Sequence, residues 1–513
     1  MRTLDRFGIY RLVTWLALIG VALTLAGCAA NAPPLTVAVA APPKWYAPLP
    51  PSANGTTPLS VINAASSLPH NGSLTSLSQW WQQQNDPLLV ELIEAAQAVN
   101  VSVITARSNI QQAQAQRIVS AAALLPTLDA AGGISRSLPA PVNRTVTPAL
   151  VNAAQIGLQF SWEIDLFGQT EASLNADKER FLGAQARWHE ARVLVAAEIA
   201  SQYYAFRACE KQLLVVDADA RSRLQTSRLT EQLATAGFAA PAVAGLARAS
   251  AAEGNSRLIQ QRADCELGIK AMAALTAWAE PELRQKLAQA APVTPQQGIA
   301  DISSVPADVL SQRPDVYNAA RELTAASFEV GSARAQRYPR LSIGGAVASN
   351  KIRTRNFTQG FDTWSLGPIQ LTIPLFDGGA ADANVDAAKA RYEEAAGKYR
   401  GTVRLAVREV EEALVNLQST ADRGDDTRVA MQGYSASFAG TQARYTAGLA
   451  SLVELEDARR TLLAAQSAFV SLERERRSAW IALYRALGGG WSTASAPATP
   501  MVFGIPEAFL PDW

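Results

Sequence analysis

The chain has 513 residues, 48% of them hydrophobic and 18% charged, with formal net charge +1. A disordered chain would hold fewer apolar residues and more net charge, and a general nucleic-acid binder would carry a basic excess. His70 and His189 are the only histidines, and three cysteines complete a poor stock for a metal cage. His189-Glu190 lacks the second histidine of the zinc-protease helix, and no Gly-x-x-x-x-Gly-Lys or Gly-x-Ser-x-Gly motif occurs. An enzyme is the weaker expectation.

Arg2, Arg6 and Arg11 precede an apolar run, Leu12 to Leu25, that ends in small residues. This layout is that of a secretory signal and not of a spanning helix. The run closes on Leu25-Ala26-Gly27-Cys28, which resembles the bacterial lipoprotein box. Cleavage would remove 1–27 and leave Cys28 as a lipidated first residue, firmly held through its buried methylenes. Ala29 stands where an aspartate would favour retention at the inner membrane, so the outer membrane is compatible. Residues 28–80 are rich in Pro, Ala, Ser and Asn, with Pro33-Pro34, Pro42-Pro43 and Pro50-Pro51 blocking regular elements. They read as an extended, lipid-anchored tether.

The remainder nearly repeats itself. Pro126 and Pro339, Leu166 and Leu375, and Gly237 and Gly448 sit in similar contexts 213, 209 and 211 residues apart. Such spacing indicates two copies of one unit, 81–300 and 301–491, before a tail, 492–513. In each unit the period changes. Ile156, Leu158, Phe160, Trp162, Ile164 and Leu166 alternate with Gln155, Gln159, Ser161, Glu163 and Asp165. This period of two predicts a strand over 155–166 with one apolar face. Ile369, Leu371, Ile373 and Leu375 alternate with Gln370 and Thr372 in the second unit. Partner strands are expected at 127–137 and 341–350, with hairpin loops over 138–152 and 351–363.

Thr170 to Thr235 contains no proline and one glycine, Gly183. A helix of that length is a rod of about 100 Å. Glu179, Arg180, Glu190, Arg192, Glu198 and Arg207 exclude a spanning run, so the rod lies in water and packs sideways. Hydrocarbon admits only helices and closed barrels. Four strands cannot close a useful pore, whereas several chains with four strands each can. Gln159, Glu163 and Gln370 would then line water, with Phe160 and Trp162 toward lipid. The expectation is an oligomeric tunnel, a sheet-walled pore continued by a helical barrel. Cys209 and Cys265 each lie 28 residues from Gly237, hence at one height in a helix pair folded there. Height does not fix azimuth. A disulfide and two separate buried thiols both remain open.

The sequence resembles the TolC-like outer-membrane efflux proteins, in the lipoprotein branch that includes NodT and OprM. The most specific segment is Val305-Pro306-Ala307-Asp308-Val309-Leu310-Ser311-Gln312-Arg313-Pro314-Asp315-Val316. Asp86-Pro87-Leu88-Leu89, Trp162-Glu163-Ile164-Asp165-Leu166-Phe167-Gly168 and Leu483-Tyr484-Arg485-Ala486-Leu487-Gly488-Gly489-Gly490-Trp491 match in order. The resemblance implies a mainly α fold with a transmembrane β part. A homotrimer would build a twelve-stranded outer-membrane β-barrel, four strands per chain, continued by a long periplasmic α-helical barrel. It also implies a passive exit duct for small amphiphilic compounds, served by a periplasmic adaptor protein and an inner-membrane pump of the resistance–nodulation–division class. No cofactor is implied beyond the lipid on Cys28. The alternative within transport is the duct of a type I protein secretion system. A structural envelope lipoprotein with a coiled-coil body would have no use for the four amphipathic strands.

By the same resemblance the tips around Gly237-Phe238 and Gly448-Leu449 meet the adaptor; equally, each glycine supplies a permissive turn. The segment Val453-Glu454-Leu455-Glu456-Asp457-Ala458-Arg459 falls on the family's periplasmic gate. Tyr445, Val453, Glu454 and Asp457 occupy gate positions, and three copies of Asp457 would form a negative ring. Ala450 departs from the founding member, which has a locking arginine there. A solvated, i,i+3-paired charge cluster is the plainer reading of Glu454, Glu456, Asp457, Arg459 and Arg460.

Overall fold

The computed structural model describes residues 32–38, 46–47, 81, 86–138, 150–290, 313–355 and 357–490. In the first unit, α1 (Pro87–Val99) and α2 (Val101–Ala122) lead into a hairpin of β1 (Thr127–Ser137) and β2 (Val151–Ile164). The 67-residue α3 (Gln169–Thr235) follows, then α4 (Pro241–Thr276) and the short α5 (Glu280–Gln289). The second unit repeats this with α6 (Pro314–Ala335), β3 (Arg340–Arg353), β4 (Thr358–Thr372), a 67-residue α7 (Ala380–Thr446) and α8 (Leu452–Ala486). β3 runs on to Arg353 and β4 starts at Thr358, so residues 351–353 and 358–363, expected as loop, are strand. The pairing of Lys351 with Gly360 and Ile352 with Gln359 extends the ladder to the tip.

The corner from sheet to rod is built the same way twice. Asp165 accepts from the backbone N–H of Gln169 and Glu171, both at 2.7 Å. Asp377 accepts from Gly379 at 2.9 Å and Ala381 at 2.7 Å. Each carboxylate satisfies donors that a helix start leaves orphaned. Those N–H groups hold the Asp377 carboxyl below its ordinary range. Phe167, in the first corner, stacks on Tyr338 of the turn between α6 and β3, with ring centroids 4.9 Å apart, and so joins the first unit to the second.

Below the corners α3 packs along α4, α6 and α8, and α7 along α6 and α8. The core is thickest at mid-rod, where Leu89, Leu92, Ile199, Tyr203, Met272, Leu283 and Leu414 are fully buried. Asp86 caps α1 through the Leu89 N–H at 3.2 Å and accepts from the Tyr203 hydroxyl at 2.7 Å. Arg313 ties together the start of α6, α7 and the end of α8 within the second unit. It donates to Asp315 at 2.7 Å, Glu409 at 2.9 Å and the Ala486 carbonyl at 2.9 Å. Burial, then the neighbouring Asp315, pushes the Glu190 carboxyl up. Toward the far end the core shrinks to Val216, Ala220 and Leu258, and then to Ala247, Leu452 and Leu455.

Among the described residues no single helix is long and apolar enough to cross a membrane. The sheet is antiparallel in the order β1-β2-β3-β4. Register places Asp129, Gln159 and Ala346 in one row and Glu163, Ser342 and Gln370 in another, all on one face. Leu128, Phe160, Val347 and Trp364 share the opposite face. That apolar face is bare: Ile134 is 90% exposed and Trp364 81%. The outer edges of β1 and β4 have no strand partner among the described residues.

Of the expected tether, the described part lies on the second unit. Ser327 donates to the Pro33 carbonyl at 2.6 Å and Tyr392 to that of Pro34 at 3.0 Å. The N–H groups of Tyr46 and Ala47 reach the Glu411 carboxylate at 2.7 and 2.6 Å. Cys28 and residues 305–312 lie outside the described residues.

Candidate functional site at the helical tips

The two rods end alike. The Phe238 N–H bonds the Leu233 carbonyl at 2.8 Å and the Gly237 N–H that of Ala234 at 3.1 Å. The second tip repeats this, Leu449 to Arg444 at 2.8 Å and Gly448 to Tyr445 at 3.0 Å. This pair of bonds is the Schellman closure, which needs a left-handed residue. Gly237 and Gly448 supply it at φ +80° and +74°. The closure leaves Phe238 82% and Leu449 70% exposed. Two apolar side chains therefore stand in solvent where a partner can cover them.

Past the second tip, Ser451 caps α8 through the Glu454 N–H at 3.2 Å, and its hydroxyl meets the Glu454 carboxylate at 3.3 Å. Glu454 thus serves its own helix start. Val453 is exposed. Asp457 is exposed and paired with Arg460 at 2.5 Å. Tyr445 points inward, its hydroxyl 2.9 Å from that of Thr230 on α3, packed with Phe438, Leu452 and Leu455. The four expected gate residues therefore divide. Tyr445 joins the rods, while Val453, Glu454 and Asp457 face out of the chain.

A buried ionic cluster lies behind Asp457; it takes in Glu456 and Arg459, which the sequence alone assigns to a solvated helix face. Arg223 on α3 donates to Asp219 at 2.9 Å, to Ser250 of α4 at 2.7 Å and to Glu456 of α8 at 2.8 Å. Ser250 donates to the same Glu456 oxygen at 2.7 Å. Arg459 pairs with the other oxygen and reaches Ser222 at 3.1 Å and Thr226 at 2.9 Å. Arg223 and Asp219 are buried, and Arg459 is only 2% exposed. Burial pulls the Arg459 guanidinium below its ordinary value. An arginine nonetheless stays charged, so the cluster holds two cations and two carboxylates in balance. Gly254 makes room for it: a Cβ there would stand 2.8 Å from the Arg223 Cδ. A cleft of about 400 Å³, lined by Arg223, Ser250, Arg257, Val453, Glu456 and Asp457, opens from the cluster to the surface.

Higher up, Cys209 and Cys265 form a disulfide between α3 and α4, with Cα atoms 5.6 Å apart. The Gln261 amide lies 3.0 Å from the Cys209 sulfur.

The profile of the family described as "Outer membrane efflux protein" matches residues 92–276 and 305–489. The solvent efflux pump outer membrane protein SrpC of Pseudomonas putida is 28% identical over 415 residues, 80% of this chain and 87% of that protein. Outer membrane protein OprJ of Pseudomonas aeruginosa is 28% identical over 431 residues, 82% and 88% of the two chains. In fold the chain is similar to the Campylobacter jejuni CmeC outer membrane channel. That likeness has TM-score 0.77 at 23% identity and covers 90% of this chain and 95% of that one.

Proposed function

The chain belongs to the outer membrane efflux protein family, and from that premise we propose that it is the trimeric exit duct of a tripartite pump for small amphiphilic compounds. The observation that carries this is the sheet with two free edges and one bare apolar face. Each unpaired backbone group in hydrocarbon costs several kcal/mol. Copies pairing β1 of one chain with β4 of the next remove both edges and bury the apolar face in lipid. Three chains then give the twelve-stranded barrel, with Gln159, Glu163 and Gln370 toward water. The duct performs no chemistry and carries no resident cofactor. Transport is passive, and an inner-membrane pump joined through a periplasmic adaptor supplies the energy. SrpC is named for solvent efflux, which supports apolar and amphiphilic cargo over a secreted protein. Lipidation of Cys28 follows from the box before it, and Pro33 and Pro34 of the tether bind the sheet-proximal parts of α6 and α7.

The division of the chain supports a leader over 1–27, a tether over 28–80, two repeats over 81–300 and 301–491, and a tail over 492–513. At the tips, Phe238 and Leu449 offer apolar contact to the adaptor. The gate is the α7–α8 hairpin. Threefold symmetry gathers Asp457 and Val453 around the axis, and Tyr445 with the Glu456–Arg459 cluster ties that hairpin to α3 and α4. Deleting the gene should sensitise cells to a panel of solvents, dyes and detergents, and the intact chain should restore resistance. Unaltered sensitivity across the panel, with impaired secretion of one protein instead, would favour the secretion duct. Asp457→Ala should relieve block of single-channel current by polyvalent cations. Undiminished block removes Asp457 from the axis.

A further inference from the structure

Charge is not spread evenly over the outer end of the sheet. Arg136 on β1 pairs in register with Asn152 on β2, and Asn152 with Arg353 on β3. Direct partners in an antiparallel sheet share a face, so the row Arg136–Asn152–Arg353 lies on the side of Leu128, Phe160 and Trp364. Two positions below Arg353 on the same face is Lys351, opposite Ala154. All three cations are exposed. None is in an ion pair with a described carboxylate. Asp362, opposite Ser349, is the one acidic residue of the four strands on this face. Arg355 stands in the hairpin turn above. On the opposite, polar face the outer end has no lysine or arginine among the described strand residues; Arg340 lies at the helical end.

The placement has a scale. On β2 the apolar face runs from Ile164 to Ala154, a length of about 34 Å at 3.4 Å per residue. Tilted by about 40°, it spans roughly 25 Å, the height of an outer-membrane apolar band. Arg136 and Arg353 lie just beyond that band. They are separated by one strand, about 10 Å, with the Asn152 amide between them. Two arginines and a lysine share the face and the level at which a bilayer presents its headgroups, and phosphate is an oxyanion that Arg forks bind well. At the rim a cation on the lipid side carries little desolvation cost. Turned inward, the same charges would line the lumen.

We infer that Arg136, Lys351 and Arg353 form an outward-facing site for the phosphate groups of outer-leaflet lipid, with one such site on each copy in the barrel. The inference rests on the barrel reading above. Native mass spectrometry of full-length protein, purified in mild detergent, tests it with three probes: diphosphorylated lipid A, the same glycolipid without its phosphates, and inorganic phosphate. The intact protein should retain the phosphorylated glycolipid about tenfold better than the dephosphorylated one, and R136Q/K351Q/R353Q should lose that preference. The conservative variant R136K/K351R/R353K should keep it. Single-channel conductance of both variants should match the parent, so that a lost lipid preference is separated from a lost barrel. Equal retention of the two glycolipids, or an unchanged preference in the glutamine variant, overturns the site. Displacement of the glycolipid by millimolar inorganic phosphate would make it a free-anion site and overturn the lipid assignment. A parent protein that forms no channel removes the barrel, and the inference with it.

Discussion

Glu456→Ala should loosen the α8 contact with the first hairpin while leaving the mid-rod core intact. The Glu456 carboxylate is shared by Arg223, Ser250 and Arg459. Without it, two guanidinium groups face the single carboxylate of Asp219, and the cluster passes from neutral to one net positive charge. Breaking a buried pair from one side costs about 3–5 kcal/mol. Glu456 retains 18% of its side-chain exposure, which places the cost near 3 kcal/mol. At 1.4 kcal/mol per factor of ten, the ratio of joined to separated tips should fall by about a hundredfold. Glu456→Gln keeps an acceptor for Ser250 or Arg223 and should cost about 1 kcal/mol. Single-channel recording in planar bilayers reads the result: long openings or raised conductance for the alanine variant, a smaller change for the glutamine variant. Parental conductance for Glu456→Ala, with the variant folded and inserted, would refute the reasoning.

Gly448→Arg places a side chain on a backbone at φ +74° and costs about 1–2 kcal/mol at an exposed turn. Assembled protein should therefore still reach the outer membrane while drug resistance is lost, as immunoblotting of membrane fractions and growth assays would show. Cys209→Ser opens a cross-link between residues 56 apart, worth about 4 kcal/mol by loop-closure entropy. It should lower the thermal midpoint relative to the oxidised parent and match the parent in reductant. For Glu190, burial favours the protonated carboxyl. The folded value lies above the unfolded one, so its contribution to stability is present at acid pH and is lost as pH rises through the folded value. Glu190→Gln should thus raise the denaturation midpoint at neutral pH, with the gain vanishing toward the unperturbed glutamate value.

Much of this fold was legible because its periodicities are long. The alternation from Gln155 to Leu166 and the unbroken helical run after Thr170 each depend on many residues, so β2 and α3 fall within a few residues of their expected limits. The second hairpin was misjudged for a local reason. Lys351, Arg353, Gln359 and Asp362 read as a polar loop, but at the rim of a sheet polar side chains alternate without breaking the ladder. The tip glycines were legible because only a left-handed turn needs them there. The ionic cluster was not, because charged residues on a helix ordinarily mean solvent. One signal was available: Arg459 lies four and seven residues after Leu455 and Leu452, on their buried face. On α3 Asp219 and Arg223 likewise share the stripe of Val216 and Ala220. The arithmetic around Gly237 gave equal heights to Cys209 and Cys265, but only the packing of α3 on α4 sets the azimuth that brings them together.

The central claim is that separate copies close one wall by pairing β1 of one chain with β4 of the next. Light scattering of the full-length protein in mild detergent, corrected for bound detergent, measures this most directly. The account predicts a single species of three chains. A stable single-chain species that keeps its sheet signal would contradict it.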